Sequence, residues 1–535
     1  MSIRHAFDSL CLRDSRLFGW GWLLHDVAPA TRIDLVLCTA DGDEHVVRCQ
    51  QAGSRDDLAE AYPGIAHARG GGFLLQGRLR SDLRGCNASL RVVFSDGSAR
   101  QLLLPDFPDR YLTQDVAGQL HNRWGLVRDL VAQGRWLLLL RRIGAAASRR
   151  LSLRLASARQ AKLPCAGDSP VLMIDHAMGG GANHFRDEQV AALRAQGRSV
   201  LLLLPHLPSL NYDLVALSPQ GERQQRFVDL AACLAALPMC HEIIVNSLVS
   251  FDDPCLIVEW LLAQPAGAHL TFYLHDYHPV CPVWTLVDER GTYCGIPGRE
   301  RCQGCLASNE APFLAMMPVL DIGDWRRHWQ RLLLRTDRLV AFSNASVAIL
   351  RKAYPELPAQ RISVVPHDTS YIKPDPVAFD LALPLTIGVV GAINVYKGAQ
   401  VVAEMARIIE RDCLPARIVV IGSIDNVLPS PALRVTGAYC SEQLAQILRN
   451  EGVGLCLLPS IWHETFSYVT AEIMAHGMPL AAFDLGAPAE RVRNYAMGRI
   501  IPEMSARAAL KTLFELRDAL LANATAGAPL PTGLK

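Results

Sequence analysis

The 535-residue sequence predicts an α/β chain: two tandem Rossmann-like domains, preceded by a small all-β sandwich domain and a helical linker. Three observations predict it. Short alternating runs separated by Gly, Asp, Asn and Ser fill residues 1–108. From residue 168, buried strand-like runs alternate with helical stretches, the rhythm of a parallel sheet covered by helices. A Pro- and Asp-rich link, YIKPDPVAFD, interrupts that rhythm, and the alternation restarts after it.

Taken in order, the first domain (1–108) has strands at FGWGWLL, RIDLVLCTA, DEHVVRCQ, GGFLLQGRL, ASLRVVFSDG and ARQLLLPDF, with one helical turn at RDDLAEAYPG. Phe18, Trp20 and Trp22 recur at strand spacing; such a stripe belongs to a sandwich core or stacks on a sugar, with core the ordinary reading. Residues 109–166 form a basic, partly helical linker, whose stretch from Arg135 to Lys162 carries eight Arg and Lys and no acidic residue. Such a run is a solvated face or rests on an anionic membrane surface. The third domain (167–378) opens with strand PVLMIDHA, the glycine turn MGGGANHF and helix RDEQVAALRAQG. It continues through strands RSVLLLLPH, EIIVNSL, HLTFYLHDY and RLVAFSNAS. The fourth (379–535) has strands LTIGVVGAI, ARIVVIGS, LRVTGAY, VGLCLLPS and MPLAAFD. Its helices are GAQVVAEMARIIERD, SEQLAQILRNE and YVTAEIMAHG, and an amphipathic helix closes it.

Composition narrows the function classes. Half of the residues are apolar, enough for large cores, and the net charge of +1 gives no global pull toward nucleic acid. No apolar run approaches the roughly 18 residues of a membrane span, and MSIRHAFDSLCLRDSR has no apolar segment of a signal peptide. Fifteen scattered cysteines, an odd number, fit reduced thiols and a cytoplasmic chain.

The stretch LLPSIWHETFSYVTAEIMAHGMPLAAFD carries the most chemistry. Ser467 suits the cap of a helix through Tyr468–His476, Gly477 suits the left-handed residue after it, and Pro479 prevents continuation. Glu464 then lies ahead of the helix and Glu472 within it, eight positions on. A helix N-terminus offers free N–H groups and partial positive charge to an anion. A phosphate there leaves the two glutamates to accept hydroxyl hydrogens on either side. A capped surface helix with two solvated glutamates is the plain alternative.

An ordered set of motifs runs Gly391-Ala392-Ile393, Lys397-Gly398, Gly422, Gly437-Ala438-Tyr439, Glu464, Glu472, Gly477, Pro479 and DLGAPAE to Glu490, with GGGANHF, FYLHDYH and AFSNAS in the preceding domain. The set resembles the retaining glycosyltransferases of family four (group 1), which have the GT-B fold; here a β-sandwich-like accessory domain precedes it. The resemblance covers about residues 168–525. It implies that Lys397 holds the donor diphosphate, Glu472 the ribose hydroxyls, and Glu464 the donor sugar and its developing oxocarbenium charge. His275 would contact the sugar or leaving group. Gly180, Gly181 and Gly391 would line the donor, and the peptide N–H groups of Phe466, Ser467 and Tyr468 would face the phosphates. The implied activity is transfer, with retention, from a nucleoside-diphosphate sugar to a growing surface polysaccharide or O-antigen, an oligosaccharide or lipid-linked acceptor. No cofactor is implied for catalysis. A protein-modifying enzyme of the same fold and a non-catalytic scaffold, recruiting partners through the β domain, are the alternatives. One departure stands out: the family's arginine five positions before the lysine is Ala392 here. Either another residue supplies that charge or donor binding is weaker.

Within the third domain, a Cys-rich insert (278–306) carries Cys281, Cys294, Cys302 and Cys305. Four thiolates so close together suit a structural zinc, with His278 as a substitute ligand; free thiols are the alternative. The insert follows His275, so it is expected to shape the acceptor side of the cleft.

Overall fold

The computed structural model describes residues 2–13, 15–39, 42–53, 55–79, 86–105, 107, 170–219, 221–318, 321–425 and 430–525. The basic linker expected at 109–166, and its membrane contact, lie outside the described residues. The chain divides into two compact units, residues 1–179, 186–270 and 311–319, and residues 180–185, 271–310 and 320–535.

The first unit begins with seven strands: β1 (Ile3–Arg13), β2 (Arg16–His25), β3 (Ala30–Cys38), β4 (Glu44–Gln51), β5 (Gly72–Arg78), β6 (Asn87–Phe94) and β7 (Ala99–Leu104). They form one antiparallel ladder in the order β1-β2-β5-β4-β3-β6-β7. Strand β4 joins its halves, pairing with β3 through Cys49 and with β5 from Gln50. Phe7, Leu10, Leu35, Phe73, Leu75, Leu90 and Val92, drawn from both halves, share one core. Phe18 and Trp22 are buried and Trp20 is half-buried, so the aromatic stripe packs as core. Helix α1 (Asp56–Ala61) packs with Trp22 and Leu24 in a side cluster.

Strand β1 was not expected from the sequence. A bulge between Phe7 and Ser9 breaks its alternation, so apolar residues on either side of Asp8 no longer fall on one parity.

The same unit continues with β8 (Val171–Ile174), β9 (Val200–His206), β10 (Asn211–Ser218), β11 (Gly221–Phe227) and β12 (Glu242–Val245). Strand β8 pairs in parallel with β9 and β12, and β9-β10-β11 extend the sheet as an antiparallel meander. Helices α2 (Gly180–Ala195) and α3 (Leu230–Ala235) lie between these strands in the chain, and α4 (Pro254–Leu262) follows β12. Within this unit, the Arg16 guanidinium donates to the Tyr212 hydroxyl at 3.2 Å and pairs with Asp252, so a buried cation ties the antiparallel sheet to the α/β part.

In the second unit, β13 (His269–Tyr273, from Thr271), β14 (Arg338–Ala341) and β15 (Ile362–Val364) pair in parallel. Helices α5 (Arg299–Ser308), α6 (Ile322–Arg335) and α7 (Asn344–Ala353) accompany them. A six-stranded parallel sheet follows: β16 (Leu385–Ile393), β17 (Ala416–Ile424), β18 (Leu433–Val435), β19 (Leu455–Leu458), β20 (Leu480–Phe483) and β21 (Gly498–Ile501). Its order is β18-β17-β16-β19-β20-β21, which reverses direction at β16/β19. In such sheets the crevice at the strands' C-terminal ends beside that reversal is the ligand position. Helices α8 (Ala399–Arg411), α9 (Leu444–Glu451), α10 (Tyr468–Ala475), α11 (Gly486–Arg493) and α12 (Ala506–Thr525) complete the unit. Strands such as Ile387-Val389 and Ile418-Val419-Val420-Ile421 are fully buried, because helices cover both faces. The tandem α/β architecture behind an antiparallel sheet is therefore as the sequence predicts.

Candidate functional site

The site assembles from the ends of β16 and β19 and the helices that follow them. At the end of β16, Gly391 has φ 117° and stands beside Gly422 of β17. A Cβ on Gly422 would sit 2.2 Å from the Gly391 carbonyl oxygen, so only glycine lets the two strand ends close. The loop after β16 turns on Asn394, whose Oδ1 accepts from the Lys397 N–H at 3.0 Å. Gly398 caps α8 at φ 85°, and a Cβ there would lie 2.0 Å from the Pro459 carbonyl oxygen. This contact presses the α8 N-terminus, with half-buried Lys397 just before it, against the loop after β19.

That loop carries Glu464, which is 7% exposed and accepts from the Ser460 hydroxyl. Thr465 donates its hydroxyl to the His275 carbonyl at 2.9 Å, so the residue beside Glu464 grips the residue beyond β13. Ser467 then caps α10, accepting from the Thr470 N–H at 3.4 Å. It does so at φ 116°, a region that costs a non-glycine residue of order 1–3 kcal/mol. Gly477, at φ 68°, ends the helix after His476 as expected. Glu472 on α10 is 6% exposed and accepts from the Tyr439 hydroxyl at 3.1 Å. Both carboxylates are thus buried polar groups with hydroxyl donors, not solvated surface charges.

His275 is buried at the end of β13, in a group of rings. Phe342 lies 4.5 Å from it, Phe185 5.0 Å and His367 5.4 Å, centroid to centroid. The glycine turn joins this group through α2: Gly180 has φ 80°, and a Cβ on Gly181 would be 3.0 Å from the Tyr468 ring. The structure therefore brings Glu464, His275, Gly181, Phe466, Ser467 and Tyr468 together. It sets Gly391 and Lys397 at the neighbouring helix start and Glu472 one turn into α10.

Two residues escaped the sequence reading. His367 stacks on Phe342 at 3.9 Å, and its Nδ1 hydrogen-bonds the Tyr468 hydroxyl at 2.9 Å. Burial pushes its pKa down to about 3, so it is neutral near pH 7. Arg491 of α11 lies 5.0 Å over the Phe466 ring and donates to the Ser467 carbonyl at 3.0 Å. Burial lowers its pKa, the mark of a cation held out of water. VVPHDTS and ERVRN gave no local signal; only the fold carries these side chains to the α10 N-terminus.

In the Cys-rich segment, each of the four thiols has a protein partner. Arg326 donates to the Cys302 Sγ at 3.5 Å, Asn309 to the Cys305 Sγ at 3.4 Å and the Ile296 N–H to the Cys294 Sγ at 3.4 Å. The Val283 N–H bonds to Cys281, whose thiol burial pushes up. Burial also raises the Cys294 and Cys305 pKa values. Among the described residues, no group of three or more His, Cys, Asp or Glu is arranged to hold a metal ion. No described helix is long and apolar enough to cross a membrane.

This geometry defines a class: a tandem α/β protein in which two buried carboxylates, Glu464 and Glu472, and a half-buried lysine, Lys397, lie in and beside the loops that follow parallel strands. Residues 384–518, which hold Lys397, Glu464 and Glu472, match the family model described as "Glycosyl transferases group 1". No curated protein matches the chain. Among solved structures, it is similar to sucrose-phosphate synthase from Thermosynechococcus elongatus, at 17% identity and a TM-score of 0.45, over 68% of this chain and 93% of that one. It is similar to Anabaena HepE in complex with UDP-glucose, at 14% identity and a TM-score of 0.41, over 68% and 93%. It is also similar to WaaG, a glycosyltransferase involved in lipopolysaccharide biosynthesis, at 13% identity and a TM-score of 0.39, over 67% and 95%.

Proposed function

We propose that the chain is a glycosyltransferase that moves a sugar, with retention, from a nucleoside-diphosphate sugar to a saccharide acceptor. The observation that carries this reading is the pair of buried carboxylates, Glu464 and Glu472, on either side of the α10 N-terminus, inside the segment matching the group 1 model. Buried carboxylates are kept where they accept hydrogen bonds, and a sugar nucleotide brings hydroxyls to both and a diphosphate between them. In this reading Glu472 takes the ribose hydroxyls, and Lys397, the α8 start and the α10 start take the diphosphate. Arg491, held at the α10 N-terminus, supplies charge of the kind Ala392 lacks. Glu464 binds the transferred sugar and stabilises positive charge developing at its anomeric carbon, and His275 contacts the sugar or leaving group.

The proposed acceptor is a growing surface polysaccharide or O-antigen, as an oligosaccharide or lipid-linked saccharide, met in the cytoplasm or at the inner membrane face through the basic stretch 109–166. A structural zinc on Cys281, Cys294, Cys302 and Cys305 is a proposal from cysteine spacing. Elemental analysis of reduced protein tests it: about one zinc per chain supports it and none rejects it.

A thermal-shift screen with UDP, GDP, dTDP and CDP tests the donor reading. A ligand at 100 times its dissociation constant adds about 2.7 kcal/mol of stability, a readily measured rise in Tm. Acceptor-free hydrolysis of the matching sugar nucleotides then separates an enzyme from a scaffold that only binds. No stabilisation by any of the four rejects the reading.

A further inference from the structure

Three aromatic side chains from separate stretches of the second unit meet beside the proposed donor site. Trp284 comes from the Cys-rich segment, Tyr396 from the loop before α8, and Trp462 from the loop after β19. The Trp284 ring stands 5.6 Å from Trp462, edge to face, and 6.1 Å from Tyr396. Tyr396 immediately precedes Lys397, and Trp462 lies two residues before Glu464. The two loops are tied together, since the Ile461 N–H donates to the Tyr396 carbonyl at 2.9 Å. The Cys-rich segment is fastened to the same place: the Tyr277 hydroxyl and the His463 Nδ1 are 2.6 Å apart, and Tyr293 packs on the His463 ring.

Two features set this trio apart from core packing. Each of the three residues is half-buried, whereas Glu464 and His275 are buried, so the trio keeps surface open to solvent where the carboxylate has almost none. In addition, the Trp284 indole N–H is buried and has no hydrogen-bond acceptor among the described residues. Buried donors are nearly always satisfied, and an unmade bond is costly. An aromatic platform with an unmet donor matches a pyranose ring, whose C–H face is apolar and whose rim carries hydroxyl acceptors. The donor's own sugar is assigned to buried Glu464, so the sugar on the outer side is the second one a transfer needs.

We propose that Trp284, Tyr396 and Trp462 form the subsite for the acceptor's terminal sugar ring, stacked on the aromatic faces with a hydroxyl accepting from the Trp284 indole N–H. This rests on the glycosyltransferase reading and assigns the Cys-rich segment to acceptor recognition.

The test uses the full chain and saturation-transfer NMR with the methyl α-glycosides of glucose, galactose, mannose and rhamnose. The nucleoside diphosphate giving the largest thermal shift is present. At least one glycoside should receive saturation. Trp284→Ala and Trp462→Ala should weaken its binding at least about tenfold, the scale of losing an aromatic anchor. Trp284→Phe keeps the packing and lacks the N–H, so it should fall between Trp284→Ala and the native chain. Nucleotide affinity, measured by calorimetry on the same samples, should not change. Native-like glycoside binding by Trp284→Ala and Trp462→Ala overturns the proposal. So does a chain that binds nucleotide and no glycoside, and there the glycosyltransferase reading survives. A chain that binds neither overturns both.

Discussion

Glu464 and Glu472 are both buried, and each accepts from one hydroxyl, yet the proposed function gives them different parts of a sugar nucleotide. Glu472 faces Tyr439 and sits on a helix already in place before any reaction. Its contact to a ribose would be the same in ground and transition states, so Glu472→Gln should weaken nucleoside-diphosphate binding by about 1–3 kcal/mol, the scale of a charged hydrogen bond. Calorimetry on the free nucleotide measures it. In the proposed function, Glu464 meets the charge that develops as the glycosidic bond breaks. Losing one such preorganised contact costs about 2.7–4 kcal/mol. Glu464→Ala should therefore lower kcat about a hundred- to a thousandfold with nucleotide affinity nearly intact. Lys397→Ala should weaken both, because a diphosphate is charged before and after transfer. Side-by-side kinetics and calorimetry separate the two; equal losses in both variants would refute this division.

At the scale of elements, α10 is the piece on which the site depends, and its start is strained. Ser467 gains a capping bond while sitting at φ 116°. Replacing it with Ala removes the bond and keeps the strain, a loss of about 1 kcal/mol. Replacing it with Gly removes the bond and relieves the backbone, so Ser467→Gly should lose only a few tenths, or nothing. Urea midpoints of the two variants give the comparison, and Ser467→Ala proving as stable as Ser467→Gly would show that glycine relieves no strain at this φ. Helix α8 depends in the same way on Gly398, which no other residue can replace without moving Pro459.

Across the whole molecule, several histidines are buried neutral. Burial lowers the pKa of His278 and His367 to about 3, and of His176 and His463 to about 4, from 6.5. The unfolded chain takes a proton on each near pH 6.5, and the folded chain only near pH 3 or 4. Between those values the unfolded state binds more protons, so stability is full above about pH 6.5 and falls as the pH drops. Each such histidine contributes a slope of about 1.4 kcal/mol per pH unit. His278 lies against Trp325 and Trp329, and both its ring nitrogens lack partners among the described residues. His278→Leu should therefore flatten the decline, losing about 2 kcal/mol less than the native chain between pH 6.5 and pH 5. Denaturant titrations at the two pH values check it.

What the sequence by itself determined was everything encoded within one stretch of chain. The strand–helix alternation, the α10 cap at Ser467 with its stop at Gly477, and the place of Glu464 ahead of that helix are local facts of period and φ preference, and they were legible. Strand β1 was not, because the bulge at Asp8 shifts its parity. Nor was the β10–β11 hairpin, whose second strand, GERQQRF, has one apolar residue and is held by pairing with β10. Only the tertiary structure decided that Arg491 lies over Phe466, that His367 meets Tyr468, and that Trp284 meets Trp462. The reason is physical. Each of these contacts joins residues 25 to 178 positions apart, and no propensity or periodicity links them. They exist because parallel strands bring the loops that follow them to the C-terminal edge of each sheet, where side chains from distant segments pack into one site.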